Sequence, residues 1–443
     1  MSRFLLFDCD PIDQPAATDP VERLTWCALR IRVGQRVVSR IWDNSLQCER
    51  TNLYLPAFPV AEWVVQNWWS LLNELCPLDS APKSDFRATE MKWIKRHCLR
   101  SADSALMLPA LYLFHDGRGL RAEWDADPSG SMPNMPGEFV APGAEQLDSN
   151  ATQAALEQFV NNTLDRVAGV NDERVRELTD RWRAIRGADI DEQQFCTLAG
   201  RMGIDPYDPN EMTDELAEFF EKAVTDPQDP LVRDLTEVAR PDSIEQQWSW
   251  LTKVSEELRL GPNRVELPFP ITTPGPLPHQ FGYDLARKVR EKANIQAAAP
   301  LVDIDQVARA SMNRGLRLED RNHVPGDGVR AIVGRSPSGE VVTAGPQPPR
   351  QDSQRFLIAR SLYHALVTSQ ESRRLVTNAY SWDQKASRAF AAELLAPQEA
   401  IENRIGTSEA DRETVERLSH QFNVSAKVIE KQLQNAGIPL SDD

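Results

Sequence analysis

The chain has 443 residues, 41% apolar and 26% charged, with a formal net charge of −16. That length is too great for one ordinary core, so two or three domains are expected, with the composition of a soluble globular protein. The acidic balance disfavours nucleic acid as a partner, and no apolar run approaches the roughly 18–20 residues that cross a bilayer.

The opening MSRFLLFDCDP turns acidic after four apolar residues, so no signal peptide is expected. Six cysteines (Cys9, Cys27, Cys48, Cys76, Cys98 and Cys196) fall without CxxC spacing, which fits reduced thiols in a cytoplasm. Leu29 to Asp43 has β-branched residues around a glycine, as a hairpin does. Val60 to Leu75 places Val60, Trp63, Val64, Trp68, Leu71, Leu72 and Leu75 on one helical face. Ala110 to Asp127 reads as two strands joined by a Gly-rich turn. Trp26, Trp42, Trp63, Trp68, Trp69, Trp93, His97 and His115 read as an aromatic core, because their spacing matches no ligand set.

Residues 127–150 are rich in Pro, Gly and Ser and read as a linker. From there to about Leu260 the apolar spacing is helical, including a helix with Phe195, Leu198 and Ala199 that ends near Gly203. The prolines of 261–278 make that segment extended, and a helix resumes over GYDLARKVREKANI. This yields an α+β, multi-domain chain: an N-terminal α+β domain over 1–126, a linker over 127–150, a mainly helical middle region over 151–295, and a C-terminal domain over 296–443.

In the last region Arg330 to Gly345 reads as strand, turn, strand, and its second strand, EVVTAG, is a candidate edge for adding a partner's strand. Asp352 or Ser353 is expected to cap a helix over about 354–368, and Asp383 to start another that ends by Ala396, before Pro397. The tail VERLSHQFNVSAKVIEKQLQNAGI predicts two short helices, with Ser425 as N-cap and Gly437 as the stop.

These blocks resemble the C-terminal metallopeptidase domain of the ImmA/IrrE family: a strand pair, a helix RFxxAHExxH, a helix ExxANxFAxxLLxP and a closing helix pair. Arg355, Phe356 and Ala359 sit where that pattern wants them, as do Ala386, Phe390, Ala391, Leu394, Leu395 and Pro397. The likeness covers about a third of the chain, and residues 1–295 resemble no family.

The resemblance implies a zincin-like fold and a zinc site. In such a site two histidines at i and i+4 share a helix face, the glutamate between them is the base, and a carboxylate from the next helix completes the ligands. Here Arg360 stands at the first histidine, Ser361 at the glutamate, His364 at the second histidine, and Asp383 is assigned to the third-ligand position. A guanidinium repels a metal and a hydroxyl is no general base, so no cofactor is expected. Zinc on His364 and Asp383 is the alternative. Arg360 is instead expected to replace the cation by pairing with Asp383. On a helix with Phe356, Leu357 and Leu362, a lone His364 is by itself more often a hydrogen-bonded core residue.

The functional expectation is a non-catalytic, regulatory member of this family that binds another protein: a repressor, a toxin or a defence-system component. A role in mobile-element control, stress response or phage defence is implied by the resemblance alone. One alternative is an active endopeptidase with a relocated ligand set drawn from His323, His364, Asp383 and Glu393, or with Ser361 as nucleophile beside His364. Another is a DNA-binding regulator using Lys427, Lys431, Gln432 and Gln434 of the tail. Against it stand Glu430 on the same helix and the balance over 296–443 of 18 Lys and Arg to 19 Asp and Glu.

Overall fold

The computed structural model describes residues 3–13, 17–79, 88–128, 136–223, 229–258, 275, 277–296, 298–301, 303–321, 326, 328–336, 338–368, 373–405 and 409–441. The chain divides into two compact units, Met1–Thr225 and Asp226–Asp443, both of mixed helix and sheet. Among the described residues no helix is long and apolar enough to cross a membrane.

The first unit runs β1 (Leu5–Pro11), α1 (Pro20–Thr25), β2 (Trp26–Val33), β3 (Arg36–Val37), β4 (Ile41–Asp43), β5 (Cys48–Arg50), β6 (Leu53–Pro56), α2 (Phe58–Gln66), α3 (Trp68–Asn73), α4 (Ala88–His97), β7 (Leu111–His115), β8 (Leu120–Trp124), β9 (Gly137–Phe139), β10 (Gly143–Gln146), α5 (Ser149–Val167), α6 (Glu173–Gly187), α7 (Ile190–Arg201) and α8 (Asp214–Ala223). Both expected hairpins form. Gly34 turns β2 into β3 at φ +57°, and Asp116 Oδ1 accepts from the Arg118 and Gly119 amides between β7 and β8. The helix expected over Val60 to Leu75 is two, broken at Asn67, whose side chain donates to the Trp63 carbonyl.

Residues 137–139 and 143–146 of the segment expected as a linker are strands in sheets, since β9 pairs with β4 and β10 with β8. Helices α5 and α6 belong to the same unit: Phe159 packs on Phe7 of β1 and Trp182 on Trp68. The middle region expected over 151–295 is therefore divided between the two units. Of the aromatic set, Trp63, Trp68, Trp93 and His97 are buried, whereas Trp42 is 37% exposed.

The second unit runs α9 (Pro230–Thr236), α10 (Ile244–Glu257), α11 (Pro278–Lys292), α12 (Ile304–Met312), β11 (Leu316–Asp320), β12 (Val329–Arg335), β13 (Val341–Gly345), α13 (Gln351–Val367), β14 (Arg374–Thr377), α14 (Trp382–Leu395), α15 (Gln398–Ile405), α16 (Arg412–Phe422) and α17 (Ala426–Ala436). Of the proline-rich segment 261–278, only residues 275, 277 and 278 are described. The sheet order is β11-β13-β12-β14, with β11 parallel to β13 and the other pairs antiparallel. EVVTAG is thus an interior strand, paired on both sides, and the sheet's edges are β11 and β14.

Helix α13 starts one turn earlier than expected, with Arg350 at the N-cap, so Asp352 lies inside the first turn and accepts from the Ser353 amide. Its core side chains Leu357, Leu362, Tyr363 and Leu366 are joined in one cluster by Phe281 of α11 and by Trp382 and Phe390 of α14. Helices α11 and α14 cross at Gly282, where a Cβ would lie 2.5 Å from the Ala386 carbonyl oxygen. In the tail, Asn423 at φ +50° ends α16, and Gly437 at φ +72° ends α17.

Candidate functional site

Strand β14 is buried along its whole length and pairs with β12 on one side only. Backbone donors and acceptors on the other side need partners, because an unsatisfied buried group costs about 1–3 kcal/mol. Side chains from three helices supply them. Asp234 Oδ2 of α9 accepts from the Leu375 amide at 2.9 Å, and Gln384 Nε2 of α14 donates to the Leu375 carbonyl at 2.7 Å. Gln384 Oε1 accepts from the Thr377 amide at 3.1 Å, and Arg360 Nη2 of α13 donates to the Thr377 carbonyl at 2.7 Å. The network also fixes which way the Gln384 amide points.

Arg360 is 6% exposed. Besides Thr377 it donates to Gln384 Oε1 at 2.6 Å and, through Nε, to Ser387 Oγ at 3.0 Å. All three acceptors are neutral, so the expected Arg360–Asp383 pair does not form. Burial, with the cations of Arg388 and Arg330, pushes the Arg360 guanidinium well below its usual pKa.

Asp383 meets a different arginine. Arg374 Nη1 and Nη2 each lie 3.2 Å from Asp383 Oδ2, and the same guanidinium holds Asp234 through Nε at 2.8 Å and Nη2 at 3.0 Å. Burial opposes the charge on Arg374, but Asp234, Asp383 and Glu237 outweigh it and raise its pKa. Glu237, just past α9, reaches solvent in part, yet its Oε2 is buried without a hydrogen-bond partner. Burial and then the Asp234 charge push its carboxyl up to about 8, against Arg233, the Ser381 hydroxyl and Arg374.

The side chain that α14 turns toward Arg360 is therefore Gln384. The spacing ExxANxFAxxLLxP explains the discrepancy: counted back from Phe390, Leu394, Leu395 and Pro397, its first position is Gln384, not Asp383. That register puts Ser387, not Ala386, at the motif's alanine.

His364 is fully buried. Burial, then the Arg374 and Arg360 charges, lowers its pKa well below the usual imidazole value against Asp383 and a hydrogen bond with the Gln384 side chain, so the ring is neutral. Ser361 Oγ donates to the Leu357 carbonyl at 2.9 Å, which commits the proton a nucleophile would surrender. Glu393 is buried elsewhere on α14, accepting from Arg287 Nε at 2.9 Å, the Gln398 amide at 2.9 Å and Gln432 Nε2 at 3.2 Å. His323 lies outside the described residues.

In the tail Lys427, Lys431 and Gln434 are exposed. Gln432 is not available to a groove: it is 1% exposed, donates to Glu393 and to the Ala396 carbonyl, and accepts from Tyr283.

At the positions that the resemblance assigns to zinc ligands, the first carries the Arg360 guanidinium and the third the Gln384 amide bonded to it, and Asp383 is bound by Arg374. Among the described residues no three His, Cys, Asp or Glu side chains form a metal-binding group. No protein-family model, curated protein or solved structure matches the chain.

Proposed function

We propose that residues 296–443 form a non-catalytic relative of the ImmA/IrrE metallopeptidase domain, a regulatory module that acts by binding another protein. The observation that carries this reading is the 2.6 Å bond from Arg360 to Gln384, two residues at the positions of two zinc ligands. In place of a metal that activates water, a guanidinium and an amide close the edge of β14. A hydrolase needs a base and a polarised water there, and Ser361, neutral His364 and Arg360 provide neither. The partner class, a repressor, toxin or defence-system component, comes from the sequence resemblance.

The test is the zinc content of the purified chain, by elemental mass spectrometry after dialysis against zinc and then buffer. Well under one metal per chain is the expected result. Near one per chain, lost on His364→Ala or Asp383→Ala, would overturn the reading.

A further inference from the structure

In the first unit, strands β1 and β2 bring two cysteines together. The strands run antiparallel with Cys9 opposite Leu29 and Cys27 opposite Pro11, so the cysteines are diagonal neighbours. Both lie on the core side of the sheet: Leu5 and Phe7 lead to Cys9 at alternate positions, and Leu29 and Ile31 follow Cys27 in the same way, all four buried. The two thiols are free, and their sulfurs lie 2.8 Å apart, less than about 1 Å beyond the roughly 2.05 Å of a disulfide bond. Spacing in the sequence gives no hint of the pair, because 18 positions separate its members and the strand register alone joins them.

The pair is asymmetric. Cys27 is fully buried, whereas Cys9 is half-buried and within reach of a small reagent. Arg166 of α5 donates to the Trp26 carbonyl at 3.3 Å, next to Cys27, and so sets a guanidinium beside the sulfurs. The hydrogen bond from Cys27, together with the Arg166 cation, lowers the Cys9 pKa against burial and the Asp10 and Asp8 charges. The same hydrogen bond and burial raise that of Cys27, so the proton between the sulfurs stays on Cys27. A thiolate is the form that attacks an oxidant, and an accessible one with a second cysteine in contact can be resolved to a disulfide.

We infer that Cys9 and Cys27 are a modification site at which hydrogen peroxide forms a disulfide that staples β1 to β2. Cys9 Sγ attacks one peroxide oxygen, the O–O bond breaks, and the departing hydroxide takes up the proton that Cys9 released, leaving as water. Cys9 is then a sulfenic acid. Cys27 Sγ attacks Cys9 Sγ, the S–S bond forms as the S–O bond breaks, and the hydroxide leaves with the Cys27 proton as a second water. The sulfurs together lose two electrons and one peroxide is reduced to two waters. The bond fixes covalently a strand that packs on α5 through Phe7 and Phe159.

Hydrogen peroxide is the probe. The whole chain is reduced with dithiothreitol, desalted, exposed to peroxide, alkylated and digested with trypsin without further reduction. Mass spectrometry is expected to find a peptide of residues 4–23 linked to one of residues 24–30 in most of the chain, and to lose it after dithiothreitol. This map of the parent chain needs no variant. Cys27→Ser should leave Cys9 as a sulfenic acid that dimedone labels, and Cys9→Ser should leave Cys27 unlabelled, with circular dichroism to check that both fold. Cys9 and Cys27 both alkylated after peroxide, Cys9 linked to a different cysteine, or Cys9 driven to the sulfinic acid without a link to Cys27 would each overturn the assignment. Dimedone on Cys27 in Cys9→Ser would overturn the roles given to the two sulfurs.

Discussion

The guanidinium that meets Asp383 belongs to Arg374, 3.2 Å away and nine residues earlier on β14, and it holds Asp234 at the same time. Asp234 is fully buried and Arg374 is 7% exposed, so removing the cation strands a charge in the interior. Arg374→Met is expected to cost about 3–5 kcal/mol, the range for breaking a buried pair from one side. Urea unfolding measures it, and a loss below about 1 kcal/mol would show that Asp234 finds another partner.

Arg360→Met should cost less, about 1–3 kcal/mol. The change leaves the Thr377 carbonyl and Ser387 Oγ without the Arg360 donor and Gln384 Oε1 with the Thr377 amide, but it also removes a buried cation that has no carboxylate partner among the described residues. The comparison with Arg374→Met under one set of conditions is the informative quantity. Equal losses would mean that Arg360 is ion-paired after all.

These two arginines show where the sequence was legible and where it was not. Helix α14 and its end before Pro397 follow from local signals, as do Asn423 and Gly437 at the ends of the tail helices. Placing Asp383 at the site rests on one residue of register, and on a helix a slip of one residue turns a side chain by roughly 100°. Anchoring on Ala386 selects Asp383, whereas Phe390, Leu394, Leu395 and Pro397 together select Gln384. The Arg374–Asp234 pair spans 140 positions and leaves no local pattern at all. The interior place of EVVTAG was hidden for a similar reason, since its second partner, β11, lies beyond the hairpin and runs parallel to it.

Glu237 makes stability depend on pH. Its carboxyl is pushed up to about 8 in the folded chain from an ordinary 4.5, so between those values the folded state holds a proton that the unfolded state has released. The contribution is therefore complete below about pH 4.5 and is lost as pH rises toward 8. Glu237→Gln should flatten this part of the Tm–pH profile and raise Tm relative to the parent at pH 8 and above. An unchanged slope between pH 5 and 8 would place the titration elsewhere.

Gly282→Ala tests the α11–α14 crossing. In an exposed helix this change stabilises by up to about 1 kcal/mol. Here the new methyl would lie 2.5 Å from the Ala386 carbonyl oxygen and 2.8 Å from the Phe390 amide nitrogen, both backbone atoms that cannot swing aside. A net loss of about 1–3 kcal/mol is expected, and a gain in Tm would mean that the helices are not in contact there.

The register of the site has its own test, in which a metal is recruited. If Gln384 occupies the third-ligand position, Arg360→His combined with Gln384→Glu would set two imidazoles one turn apart on α13 and a carboxylate facing them from α14. Both original side chains lie in the buried network, and the paired change also removes the guanidinium that would repel a cation. Zinc near one per chain is expected after dialysis, with a rise in Tm on zinc addition. Arg360→His combined with Asp383→Glu is the control, because position 383 faces Arg374 and Asp234, and it should bind little. If the control binds zinc and the Gln384 variant does not, Asp383 is the ligand position and the hydrogen bond from Arg360 to Gln384 is incidental.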